Sequence, residues 1–107
     1  MPKQNTPPLS EDKLRMALML KALGNPTRFQ IMETLSNKQV CWTYQIVQFS
    51  HLAQSTVSQH LKVLANAGLI QNESSGPATR YSINQEGVGW LKRQVSHWLP
   101  ERTLTDD

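Results

Sequence analysis

The segment from Gln54 to Gly68 does most to limit what this chain can fold into. At 100° per residue, Val57, Leu61, Leu64 and Ala65 fall on one side of a helix, Ser55, Gln59, Lys62 and Asn66 fall opposite, and Thr56 and Ser58 flank them. Such a helix must lay its apolar side on other elements, leaving a face of small hydroxyls and amides with one lysine. Gly68 follows the last periodic residue, at the position that favours a left-handed backbone and closes a helix. Leu69 and Ile70 lead into a strand, Ser74-Ser75-Gly76-Pro77 reads as a turn, and Arg80-Tyr81-Ser82-Ile83 alternates as a returning strand. Ile70 to Ile83 is therefore predicted to be a β-hairpin.

Three helices precede this unit in the sequence reading. Ser10 with Glu11 and Asp12 behind it predicts a helix to about Leu23, stopped by Gly24. Asn25 and Pro26 restart the chain as cap and first helical residue, with Ile31, Met32 and Leu35 as the inner side and an end near Ser36 and Asn37. A short helix over Trp42–Phe49 follows, with Tyr44, Val47 and Ile46 as candidates for its inner face. A last helix from Gln85 to about Leu99 completes the order α-α-α-α-β-β-α. The fold class is mainly α with a small β-hairpin, on residues 10–99, between an arm over 1–9 and a tail over 100–107 that are expected to be disordered.

A chain of 107 residues, 38% hydrophobic, holds one cored domain. It has no run long enough for a membrane span and no apolar signal core near Met1, so a soluble cytoplasmic protein with no membrane partner is expected. One cysteine, Cys41, excludes a disulfide scaffold and a cysteine-only zinc cage. The net charge of +3 permits nucleic-acid binding, and its distribution says more. From Glu33 to Glu73 no acidic residue intervenes, while Lys38, His51 and Lys62 do, so this stretch can approach phosphates without like-charge repulsion.

A short helix, a tight turn, a hydroxyl-rich helix and a hairpin form an arrangement used to read DNA grooves. Leu23-Gly24-Asn25-Pro26-Thr27-Arg28, then Ser55-Thr56-Val57-Ser58-Gln59-His60-Leu61-Lys62-Val63-Leu64, Ala67-Gly68-Leu69-Ile70 and Arg80-Tyr81-Ser82-Ile83 occur in order. Over about Ala17 to Leu91 the chain resembles the ArsR/SmtB family of winged helix-turn-helix repressors. The resemblance implies a recognition helix in the major groove, a hairpin wing at the flanking groove, and terminal helices that form a homodimer on double-stranded DNA. Carried over by position, the DNA-binding residues are Gln54, Ser55, Thr56, Ser58, Gln59, His60 and Lys62, with Arg80 on the wing. His60 serves either a phosphate or packing, and Arg28 either meets the backbone or braces the second helix. Ala53 stands where a capping Ser or Thr is usual, so either the helix opens at Gln54 or Ser55 caps a later start. Glu73 stands where the wing usually carries basic residues.

Leu14, Leu18, Leu91, Val95 and Trp98 are the predicted dimer interface, because both terminal helices carry more apolar surface than one small core covers. The family's usual metal sites lack their ligands here: Trp42 and Tyr44 occupy the thiolate positions, and His97 has no Asp and second His beside it. No metal and no cofactor are expected. Cys41 is either a buried inert thiol or a redox switch, and Trp42, Tyr44 and Phe49 either pack or line a small-molecule effector pocket. An enzyme is not expected, for no phosphate loop, paired carboxylates or nucleophile triad is present. The competing reading is a winged-helix module that binds protein, which would need apolar anchors on the outer face of Ser55–Asn66.

Overall fold

The first two helix starts expected from the sequence carry the caps that their residues offer. The computed structural model describes residues 7–103. Ser10 is extended and its Oγ accepts from the Lys13 N–H at 3.3 Å, opening α1 (Glu11–Leu23). The Asn25 Oδ1 accepts from the N–H groups of Thr27 and Arg28 at 2.9 and 3.1 Å, opening α2 (Pro26–Lys38) with proline at its first position. Of the predicted arm and tail, residues 1–6 and 104–107 lie outside the described residues, and 7–9 and 100–103 carry no helix or strand.

The chain then departs from the predicted order. Gln39 adopts φ 68°, ψ −48°, and the Val40 N–H donates to the Lys38 carbonyl at 2.8 Å, a tight γ-turn that side-chain-bearing residues seldom adopt. It reverses the chain into a strand that the sequence reading lacks, β1 (Cys41–Trp42). The short third helix, α3 (Thr43–Ser50), begins after it, and the Gln45 side chain accepts the Trp42 N–H at 2.9 Å. Two residues show no periodicity, so β1 exists only because another strand offers it partners.

That partner is the hairpin of β2 (Ile70–Ser75) and β3 (Ala78–Ile83), which pair from Ile70↔Ile83 to Ser75↔Ala78. β1 adds antiparallel to β3, Cys41 opposite Tyr81 and Trp42 opposite Arg80, giving a three-stranded sheet in the order β1-β3-β2. The strands run closer to the tip than expected, leaving Gly76 (φ 61°) and Pro77 as the turn.

The predicted recognition helix is α4 (Gln54–Asn66), and α5 (Gln85–Trp98) closes the fold. Val57, Leu61 and Leu64 are buried with Met19, Ile31, Leu35 and Ile46 in one core, and no polar side chain is buried among the described residues. At the end of α4 the Gly68 N–H donates to Ala65 and the Leu69 N–H to Leu64, both at 3.0 Å, with Gly68 at φ 79°. This pair of bonds satisfies carbonyls that the helix end would otherwise leave orphaned. The Leu69 carbonyl then accepts from the Asn84 N–H at 3.0 Å, and Asn84 caps α5 through the Gly87 N–H at 3.1 Å. Among the described residues no helix is long and apolar enough to cross a membrane.

α5 sits so close to this corner that a Cβ on Gly87 would lie 2.0 Å from the Gly68 carbonyl oxygen. Backbone must move to admit it, so Gly87→Ala is expected to cost about 2 kcal/mol of stability in urea unfolding. An unchanged midpoint would show that the corner is loose.

Candidate nucleic-acid interface

The turn between α3 and α4 sets the direction of α4. The Ser50 Oγ donates to the Val47 carbonyl at 3.1 Å and accepts from the Leu52 N–H at 3.3 Å, and His51 follows in the left-handed region at φ 58°. Ala53 is the extended residue before α4, so the helix opens at Gln54 and Ser55 is not its cap. With no side chain capping it, the first turn leaves backbone N–H groups open to an outside acceptor such as phosphate.

With Val57, Leu61 and Leu64 turned inward, Gln54, Ser55, Ser58, Gln59 and Lys62 are exposed, while Thr56 and His60 are half-buried at the edges. The Arg28 Nη1 lies 3.4 Å from the His60 Nδ1, and its Nε donates to the Ala22 carbonyl at 2.7 Å. A guanidinium only donates, so this contact is satisfied by the neutral imidazole with its hydrogen on Nε2. Arg28 therefore ties the end of α1 to the side of α4. It braces helices, and His60 is held on the bracing side.

Arg80 is exposed on the sheet, with its Nη2 2.7 Å from the Glu73 Oε2. Its guanidinium also lies 5.9 Å from the centre of the Trp42 ring. An ion pair this exposed adds at most about 1 kcal/mol to stability.

Tyr44 corrects the reading of α3. It is 65% exposed, whereas Ile46 is fully buried and Val47 half-buried. Residues two apart on a helix differ by 200°, so Ile46 inside already requires Tyr44 outside. Tyr44, Trp42 and Tyr81 line a cleft of about 460 Å³ between α3, the wing and Gln54 and Ser58 of α4. Phe49, grouped with these aromatics from sequence, is not among its lining residues. The Thr43 Oγ1 bridges one side of this cleft by donating to the Thr79 carbonyl at 3.2 Å.

The predicted dimer residues divide. Leu14, Leu18 and Trp98 are 51%, 54% and 54% exposed, and Val95 is half-buried. Leu91 is corrected: it is buried in the chain's own core, because it continues the inward row of α5 begun by Gly87. Cys41 lies buried on β1. Burial pushes its thiol above the ordinary pKa, with the charge of Lys38 pulling the other way. Among the described residues no cluster of three His, Cys, Asp or Glu side chains is gathered to hold a metal.

A raised pKa keeps the Cys41 thiol protonated to higher pH than a free one. The native protein at pH 8 is expected to react with an aromatic disulfide far more slowly than the same protein in denaturant. Equal rates would show an accessible thiolate.

Residues 25–72 match the family model of a bacterial regulatory protein, arsR family. The chain is 34% identical over 71 residues to the arsenical resistance operon repressor of Bacillus subtilis, covering 66% of this chain and 68% of that protein. It is 38% identical over 65 residues to the HTH-type transcriptional repressor SmtB of Mycobacterium tuberculosis, covering 61% of this chain. The match spans 47%, about half, of that relative's length. The crystal structure of the transcriptional repressor PagR of Bacillus anthracis superposes with a TM-score of 0.62 at 31% identity, covering 77% of this chain and 94% of that one.

Proposed function

The chain belongs to the arsR family of bacterial regulatory proteins, and on that premise we propose that it is a DNA-binding transcriptional repressor. It acts as a homodimer on a palindromic operator, with one copy of α4 in each of two major grooves about one DNA turn, roughly 34 Å, apart. The observation that carries this reading is the outer face of α4. That face is exposed, free of carboxylates and polar except for Val63 at its edge, and it is backed by a fully buried apolar row.

The residues divide by chemistry. Gln59 offers the paired donor and acceptor that match the major-groove edge of adenine, and Lys62 a phosphate or guanine contact. Gln54, Ser55, Thr56 and Ser58, around the open first turn of α4, suit phosphate oxygens and neighbouring base edges. Arg80, the wing's one cation, is engaged with Glu73, and His60 faces Arg28, so neither is counted among the main contacts. The dimer forms through the exposed Leu14 and Leu18 of α1 and through Val95 and Trp98 of α5. Apolar side chains more than half exposed at Leu14, Leu18 and Trp98 are what a partner surface would cover. The named relatives are repressors, and no reaction is assigned to this chain.

Operator selection followed by titration tests the reading. Gln59→Ala is expected to cost about 1–3 kcal/mol on the selected duplex and little on random DNA, whereas Lys62→Ala weakens both and lowers the salt slope by about one. Absence of binding to any duplex, or binding indifferent to salt, would refute it. For the dimer, Leu18→Glu is expected to shift sedimentation to the monomer and to weaken operator binding. A wild-type chain already monomeric at micromolar concentration would remove that part.

A further inference from the structure

Glu73 and Arg80 are the only charged side chains from Ile70 to Ile83, so the wing has no net charge. They are also cross-strand partners on β2 and β3. The Arg80 Nε and Nη2 both donate to the Glu73 Oε2, at 3.2 and 2.7 Å. On its other side Arg80 is the register partner of Trp42 on β1, whose ring centre is 5.9 Å from the guanidinium carbon. Trp42, Arg80 and Glu73 thus form one rung across all three strands. The cation is held in that rung, between a carboxylate and an aromatic ring.

A phosphate approaching Arg80 meets this carboxylate first. To take the Nε and Nη2 edge it must displace the Glu73 oxygen, and at Nη1 it binds beside that carboxylate; either way Glu73 is left facing a polyanion. The exchange is feasible, since the two side chains are 43% and 69% exposed and exposed pairs are weak. It is also nearly balanced, one anion for another. We propose that Glu73 sets the affinity of the repressor for DNA by competing with phosphate for Arg80, so that the wing adds almost no net contact and α4 carries the binding. This rests on the DNA-binding reading above and deepens it. The wing becomes an electrostatically silent arm that one side chain keeps silent.

The test is a double-mutant cycle on the full chain, with Glu73→Gln, Arg80→Gln and both together, titrated with a random-sequence duplex at 50 and 200 mM salt. Glu73→Gln is expected to bind several-fold more tightly at 50 mM. Gaining one phosphate contact steepens the salt slope by about 0.9, so this variant loses about 3.5-fold more affinity than wild type across that range. Arg80→Gln alone is expected to change wild-type binding less than about twofold, and in the double variant to cancel the gain. An unchanged slope in Glu73→Gln overturns the proposal while leaving DNA binding itself intact. So does a gain that survives in the double variant, because it would come from removing repulsion and not from releasing Arg80. Failure of wild type and Glu73→Gln alike to bind duplex at 50 mM overturns both readings together.

Discussion

The corner where α4 ends holds the working parts of this protein in one arrangement. Gly68 takes the left-handed conformation that lets two backbone N–H groups close the helix, and the chain leaves directly into the strand that becomes the wing. The same glycine's carbonyl lies against Gly87 in the first turn of α5, with no room for a side chain between them. α4, the wing and α5 therefore diverge from a single backbone contact. Their relative angles are set by hydrogen bonds and van der Waals exclusion, which are steeper functions of distance than the hydrophobic packing around them.

Charge is used sparingly on the proposed DNA side. α4 carries one lysine and no acid, its first turn is left without a side-chain cap, and the wing's two charges are engaged with each other. In the proposed complex, oriented backbone dipoles and hydroxyls would supply what long cations supply elsewhere. A surface of this kind has a weak far-reaching field, so contact geometry decides its affinity more than long-range attraction does. Arg28, a basic residue close to this face, is turned inward to the Ala22 carbonyl and His60.

Features that depend on neighbouring residues were readable from sequence. Caps at Ser10 and Asn25, the stop at Gly68 and the hairpin after it each follow from chemistry within a few positions. The inner row Val57, Leu61 and Leu64 followed from helical spacing. What escaped was set by distant partners. β1 exists because β3 has a free edge, and Leu91 is covered because α5 folds back onto the core. Tyr44 is a different case. Its outward position follows from the helical step once Ile46 is placed inside, although its aromatic character made it a candidate for the inner face.

The small strand β1 has a consequence for motion. A wing built as a free hairpin can swing about its base, but here the returning strand is fastened along Cys41 and Trp42, and α3 starts at the next residue, Thr43. Thr43 is itself bonded to the wing at Thr79. The helix-turn-helix and the wing are thus fastened to each other at two places, along β1 and at Thr43. In the proposed homodimer, a signal that releases DNA would then act most directly on the distance or twist between the two subunits, since within each subunit the wing and α3 are fastened together.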